Sequence, residues 1–208
     1  MTPAAAHLLT RHSHRRPGPG PLRVLPDLAF ERGRVHEICG ASRRVLALAT
    51  GGATTGPVLW IRPAWEPARI NPEGMLRLID PGRLIFLDAV REEDLLWSME
   101  EALRAGILAL VVTEVPRPPG LTPVRRLHLA AERGVEAGGA PLGLLLTPGE
   151  GGAAGIETRW SFTPDHAPGG VEAWRLTRLR ARALPPATFR VTGTPKGLAQ
   201  DSRQTQPA

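Results

Sequence analysis

The sequence predicts an α/β fold with three layers, in which a mostly parallel central sheet lies between helices and continues into an antiparallel extension. Three observations support this prediction. Strand-like and helix-like segments alternate from residue 33 to residue 146. A glycine-rich segment, residues 147–155, then ends the alternation. After residue 156 the apolar residues recur with period two, and no helical segment separates them, as in consecutive antiparallel strands.

The first strand–helix–strand unit organises the rest of the chain. Val35 to Cys39 reads as a strand and Gly40 as a turn. Ser42 to Thr50 has the length and composition of a short helix, which we expect Gly51 and Gly52 to end. Pro57 to Ile61 is almost wholly apolar and predicts a second strand, so the unit is typical of a parallel sheet.

The remaining elements follow from periodicity and from proline and glycine positions. Asn71-Pro72 and Thr122-Pro123 each suit a helix cap followed by a first turn. The predicted elements are a short helix 71–78, a strand 84–87, a helix 91–105, a strand 108–113, a helix 122–134, a strand 142–146 and antiparallel strands 156–162, 171–183 and 188–192. We expect the segment 147–155 to be a mobile loop.

Composition and linker residues predict one domain with two tails. Residues 1–21 carry Arg11, Arg15 and Arg16 before a Pro-Gly run, which predicts a flexible basic arm. Residues 22–192 form the predicted domain, and residues 193–208 are polar and expected to be disordered. No apolar run approaches the ~20 residues of a membrane span, and the single cysteine, Cys39, reads as a buried thiol. We therefore expect a cytoplasmic protein that uses no metal.

The net charge of +6 is concentrated at the two ends of the chain. Residues 1–34 hold six arginines against two acids, residues 35–155 hold twelve against fourteen, and residues 156–208 hold eight basic residues against four. Basic ends suit nucleic acid or an acidic protein partner. An arginine-rich coding bias is the alternative, although such a bias does not by itself segregate charge.

The glycine turn at Gly40 resembles the position of a phosphate-binding P-loop but lacks its chemistry. Counting from Gly40, the second glycine, the lysine and the Ser/Thr positions hold Val45, Leu46 and Ala47. Arg43 and Arg44 offer charge, yet the turn is too short for the usual cradle, so we expect a solvated pair of helix arginines. The sequence thus predicts a degenerate P-loop with no bound cofactor.

Several stretches, taken in order, resemble the ImuA family of RecA-like accessory proteins in SOS-induced mutagenesis. They are Gly33-Arg-Val-His-Glu-Ile-Cys-Gly40, Val58-Leu-Trp-Ile-Arg-Pro-Ala-Trp65, Trp97-Ser-Met-Glu-Glu-Ala-Leu-Arg-Ala-Gly106 and Arg125-Arg-Leu-His-Leu-Ala-Ala-Glu-Arg133. The resemblance covers about residues 22–192. It implies a RecA-like core, a non-catalytic role in error-prone translesion synthesis, and partners among translesion polymerase components or RecA itself.

Two alternatives stay open from the sequence. One is an active DNA-dependent ATPase in which Arg44 replaces the lysine and Glu66 activates water. The other is an SOS cell-division inhibitor that binds a filament-forming GTPase.

Two sets of residues are candidates for binding. Arginines crowd one predicted strand after the glycine-rich loop and suggest weak, sequence-independent DNA binding: Arg175, Arg178, Arg180 and Arg182. We expect the last three to share one strand face and Arg175 to lie on the other. Arg62, Trp65 and Glu66 lie in a proline-stiffened loop after the second strand and suggest a protein interface. The alternative for Trp65 is that it folds back over the Gly40 turn.

Overall fold

A computed structural model describes residues 20–166, 168, 170–182 and 184–201. The element bounds are β1 Leu22–Leu25, β2 Leu28–Phe30, β3 Val35–Cys39, α1 Arg43–Gly52, β4 Val58–Pro63, α2 Pro72–Met75, β5 Leu84–Ala89, α3 Glu92–Ala105, β6 Leu110–Glu114, α4 Leu121–Glu136, β7 Leu142–Leu146, β8 Arg159–Pro164, β9 Ala173–Arg180, β10 Ala187–Thr194 and β11 Gly197–Gln200. The predicted α/β class, with its alternation followed by consecutive strands, is confirmed.

Nine strands form one sheet in the order β11-β10-β9-β8-β3-β7-β6-β4-β5. Strands β8, β3, β7, β6, β4 and β5 pair in parallel, and β8 through β11 pair antiparallel. The central strands β3, β6 and β7 are buried along their whole length, as parallel strands covered on both faces must be. In β9 and β10 buried residues alternate with half-buried or exposed ones, so that part of the sheet is covered on one face.

Two hydrophobic cores cover the two faces of the sheet. Helix α1, the β1–β2 hairpin and the residues around α2 pack on one face, which includes the buried Trp60 and Trp160. Helices α3 and α4 pack on the other face through Met99, Leu103 and Leu127 among others. The prediction that Trp60 belongs to the core is confirmed.

Glycines 51 and 52 do not end α1, contrary to the prediction. The helix runs through Gly52 and is capped at Ala53. A Cβ on Gly52 would lie 2.0 Å from the carbonyl oxygen of Leu78, so this glycine lets the helix end approach the chain after α2. Close packing, and not helix termination, requires glycine here.

Some other helix and strand boundaries also differ from the sequence prediction. Gly120, with no side-chain hydrogen bond, caps α4, so Thr122 is not the cap. Asn71 does cap α2, because its side chain accepts a hydrogen bond from the Glu73 amide. Strand β8 starts three residues later than predicted and pairs in parallel with β3, which makes it the junction between the two halves of the sheet.

The tail predicted to be disordered from Gly193 contains ordered structure. Strand β10 continues to Thr194, and β11 pairs antiparallel with it. The side chain of Gln200 donates a hydrogen bond of 2.5 Å to Asp27 in the β1–β2 turn, which joins the last strand to the hairpin. The predicted basic arm, residues 1–21, lies outside the described residues up to residue 19, as does the last part of the tail, residues 202–208.

The glycine-rich segment 147–155 is anchored by a buried carboxylate, and its predicted mobility stays a prediction. Glu37 lies in the middle of β3 and is fully buried. It accepts hydrogen bonds from the Thr147 hydroxyl and from the amides of Gly152 and Ala153, at 2.7 to 3.1 Å. Arg159 completes the set with a bond of 2.5 Å from Nε. An acid inside a predicted central strand was the sequence signal for this anchor.

None of the helices in the described part of the chain is both long enough and apolar enough to cross a membrane.

Candidate functional site

The turn after β3 lies at the carboxyl ends of the parallel strands, where open α/β sheets bind ligands. Gly40 adopts a positive φ of 88°, and a Cβ there would lie 2.6 Å from the carbonyl oxygen of Phe162. The Gly40 amide donates to the Gly149 carbonyl at 3.0 Å, and the Ser42 amide donates to Phe162 at 3.0 Å. Backbone amides at such a turn could hold phosphate. Here the amides of Gly40 and Ser42 are already bonded to carbonyls of this chain.

A bidentate ion pair joins α1 to the end of β6. Arg44 donates from Nε to both carboxylate oxygens of Glu114, each at 3.0 Å, and from Nη2 to Oε2 at 2.6 Å. The indole of Trp60 donates to Oε1 of the same carboxylate at 2.8 Å. Glu114 is buried, so three donors from two elements satisfy a carboxylate that faces little water.

This ion pair corrects the prediction of a solvated arginine pair on α1. Arg44 is bound to Glu114, and Arg43 is only partly exposed, with its Nη1 donating to the Gly40 carbonyl at 3.3 Å. The only thiol, Cys39, is buried as predicted, and burial raises its pKa to about 11, so it is not a nucleophile at neutral pH.

Arg62, a predicted partner-binding residue, is mostly engaged inside the chain. It lies at the end of β4 directly opposite Asp88 of β5, and its Nε donates to Asp88 Oδ1 at 2.5 Å. Its guanidinium carbon also lies 4.7 Å from the centre of the Phe86 ring. The hydrogen bond from Arg62 lowers the pKa of Asp88. Arg62 therefore joins the ends of β4 and β5, and its role in partner binding stays a prediction.

Trp65 and Glu66 lie where the sequence placed them, on the loop after β4. Trp65 is 52% exposed, so it does not fill the space next to Gly40 as a folded-back side chain would. Glu66 closes a local turn, accepting a hydrogen bond from the Ala68 amide at 3.2 Å. A half-exposed tryptophan on a turn with proline on both sides is a rigid apolar contact available to another protein.

The sequence did not reveal that the edge strand β5, next to this loop, also exposes apolar side chains. The connection from β4 to β5 contains only the one-turn helix α2 and a 3-10 turn at Pro81–Arg83, so it provides no long helix to cover β5. Ile85 and Phe86, which point to opposite faces, are 50% and 41% exposed, and Val90 beyond the strand is 78% exposed. Parallel strands are ordinarily covered on both faces. Exposed apolar side chains thus lie on the loop after β4 and on both faces of the edge strand β5, a region here called the rim surface (Trp65, Ile85, Phe86 and Val90).

The predicted arginine face on β9 is not formed as expected. A register shift in the β8–β9 pair places Trp160 opposite Arg178 and Arg159 opposite Arg180, which leaves Leu179 between them. Arg178 therefore faces inward, whereas Arg180 faces outward with Arg175.

Arg178 is only 7% exposed and is part of the core face. Its Nε donates to the Pro185 carbonyl at 2.9 Å, and its guanidinium lies over the rings of Trp160 and Phe189. It cannot contact DNA as predicted without leaving these partners. Arg182 is exposed and forms an ion pair with Glu157 at 3.3 Å.

Within residues 20–201, apart from the gaps noted above, no three His, Cys, Asp or Glu side chains cluster as a metal ion would require. Comparison of the sequence with protein-family models and with curated proteins found no match.

Proposed function

We propose that this chain is a non-catalytic, RecA-like accessory protein of SOS-induced DNA damage tolerance, which assists error-prone translesion synthesis through protein and DNA contacts. The resemblance to the ImuA family supplies the process. The Arg44–Glu114 ion pair is the observation that carries the non-catalytic part of the proposal. A cytoplasmic location follows from this role.

The strand order supports the RecA-like assignment. Five parallel strands with crossover connections, a glycine-rich segment and then an antiparallel extension match the layout that the resemblance implies. In that layout the first strand leads into the phosphate turn, and the acid at the end of a later strand helps to hold magnesium. In this chain Gly40 is at the position of the phosphate turn, and Glu114 is at the position of the strand-end acid. Both residues already make hydrogen bonds within the chain. Phosphoryl transfer needs several positioned groups at once, and Leu46 and Ala47 supply none of them.

The rim surface supports a protein partner. Its exposed apolar side chains lie on a free sheet edge beside a rigid tryptophan, and no nucleotide is needed to cover them. Interfaces of this kind are centred on aromatic anchors. Translesion polymerase components, or RecA itself, are the partners that the family resemblance implies.

ATP turnover by the purified full-length chain separates this proposal from the ATPase alternative. We expect no hydrolysis above that of a no-protein blank, with or without single-stranded DNA. Turnover that disappears in Glu66→Gln but persists in the matched surface variant Glu73→Gln would overturn the non-catalytic assignment.

Co-purification separates the proposal from a role as a cell-division inhibitor. The tagged chain is recovered from cells after DNA damage, and the bound proteins are identified and then reconstituted from purified components. We expect polymerase components or RecA. Recovery and direct binding of the filament-forming division GTPase would contradict the proposal.

A further inference from the structure

The antiparallel half of the sheet presents one polar face that neither core covers. Its side chains alternate with the buried aromatic residues of the same strands and are half-buried or exposed. This surface is here called the outward face and consists of Arg159, Ser161, Thr163, Arg175, Thr177, Arg180, Thr188, Arg190 and Thr192.

The register of the strands brings arginines together on this face. Arg190 of β10 lies directly opposite Arg175 of β9, and Arg180 of β9 lies directly opposite Arg159 of β8. Like charges directly opposite each other destabilise a sheet. Two such pairs on one face therefore favour a negatively charged group bound above them.

Each pair keeps one arginine without a compensating acid. Arg159 is neutralised by the buried Glu37, and Arg175 forms an ion pair with Asp165 at 3.1 Å. Arg180 and Arg190 have no hydrogen bond or ion pair to any residue that the structure describes. These two guanidinium groups are free to bind a ligand.

The spacing of the two pairs favours a polymeric anion. Arg180 and Arg175 lie opposite Arg159 and Thr163 of β8, which are four residues apart, or about 13 Å along a strand at roughly 3.3 Å per residue. A small anion reaches only one pair, whereas a nucleic-acid strand presents a series of phosphates over that length. Hydroxyl donors lie between the pairs, and Thr177 contacts Thr188 at 3.3 Å in the same row. Such hydroxyls commonly donate to phosphate oxygens.

The absence of aromatic side chains from the outward face indicates how it would recognise nucleic acid. The aromatic side chains of these strands, Trp160, Phe162, Trp174 and Phe189, all lie on the buried side. The outward face therefore offers phosphate contacts and no base-stacking platform, unlike surfaces that bind bases.

We propose that the outward face binds the phosphate backbone of nucleic acid, without sequence preference, through Arg180, Arg190 and the hydroxyl row between them. The proposal rests on the proposed function, which assigns DNA contacts to this chain. It keeps the predicted Arg180, excludes the buried Arg178 and adds Arg190.

The test measures binding of the full-length chain to a fluorescein-labelled single-stranded oligothymidylate of about thirty nucleotides at several salt concentrations. The variant is Arg180→Glu/Arg190→Glu, which removes no contact within the described chain. The control is Arg117→Glu/Arg125→Glu, which reverses two exposed arginines near α4 and changes the net charge equally. We expect at least a tenfold loss of affinity in the variant and less than a twofold loss in the control. The salt slope should fall by about 1.4, since each phosphate contact on a single strand contributes about 0.7.

Three results would overturn the proposal. The first is an equal loss in the variant and the control. The second is binding of polyglutamate or of phosphatidylserine vesicles, with no binding of the oligonucleotide. The third is binding that is abolished by Arg11→Glu/Arg15→Glu/Arg16→Glu and unaffected by changes at the outward face.

Partner capture keeps this test separate from the proposed function. Polymerase components are offered to the same variants. If the Arg180→Glu/Arg190→Glu variant still captures polymerase components but no longer binds the oligonucleotide, the outward face is a separate site. If the unmodified chain binds oligonucleotide but captures no component, the translesion role fails and the outward face stands.

Discussion

The centre of the sheet and its two flanks differ in how their charged and apolar side chains are satisfied. At the centre, Glu37 and Glu114 are buried, and arginine, backbone amides or an indole satisfy them. At the flanks, Arg180 and Arg190 lack an acid partner among the described residues, and Phe86 faces solvent on the edge strand.

This difference indicates where ligands act. A buried charge must be paired within the protein, because an uncompensated one costs several kcal/mol. The centre is therefore a structural region, even though it lies at the carboxyl ends of the parallel strands, where open α/β sheets bind ligands. Groups at the flanks remain solvated without that cost and can exchange water for a partner.

The largest expected effect tests the structural centre. Glu37→Ala leaves Arg159 without its carboxylate partner and releases the amides of the 147–155 segment, so we expect a loss of about 3–5 kcal/mol in the free energy of unfolding. Denaturant unfolding monitored by tryptophan fluorescence measures it. Glu66→Ala at the rim is the matched control and should change stability by about 0.5 kcal/mol or less. Equal losses of unfolding free energy in Glu37→Ala and Glu66→Ala would show that the centre is no more important for stability than the flank.

A pH effect of intermediate size also belongs to the centre. His36 is fully buried in β3, where its Nδ1 pairs with the Thr158 hydroxyl and its Nε2 with the Glu31 carbonyl. Burial lowers the pKa of His36 to about 4 from 6.5. The unfolded chain therefore binds a proton between these values while the folded chain does not, so stability falls as the pH drops below about 6.5. The drop is about 3 kcal/mol by pH 4.

Denaturant unfolding at several pH values between 7 and 4 measures this contribution, with His36→Gln as the comparison. The difference in stability between the two proteins should shrink by about 3 kcal/mol as the pH falls through that range, because only the unmodified chain takes up this proton. A difference that stays constant with pH would show that His36 does not carry the effect.

The smallest expected effect on stability tests the rim surface. Trp65→Ala should change the free energy of unfolding by about 0.5 kcal/mol, since half of the side chain is already exposed, whereas Trp60→Ala in the core should cost about 3–5 kcal/mol. Capture of the proposed polymerase partner should nevertheless be lost in Trp65→Ala and kept in Trp97→Ala, which removes another exposed tryptophan on α3. Capture that falls only in proportion to stability would remove Trp65 from the interface.

The order of elements could be predicted from the sequence because it depends on neighbouring residues. Apolar periodicity separated strands from helices, and it placed Trp60 and Cys39 in buried strands. Asn71-Pro72 marked the start of α2 for an equally local reason, since a cap requires only residues two or three positions apart. The proline-bounded loop that carries Trp65 could be predicted in the same way, whereas its exposure could not, since folding back over Gly40 stayed open.

The partners of charged groups were decided only in three dimensions. Arg44 meets Glu114 across 70 residues of sequence, and Glu37 meets Arg159 across 122. One register shift beside Leu179 turns Arg178 into the core and Arg180 outward, which strict alternation cannot reveal. The periodicity of a strand is a property of its own backbone, but its register, its coverage and its ion pairs depend on the elements that pack against it. The sequence alone therefore determined most of the strands and helices between residues 33 and 192, because their patterns are local. Tertiary packing determined the β1–β2 hairpin, the last strand β11 and which charged residues remain free to bind.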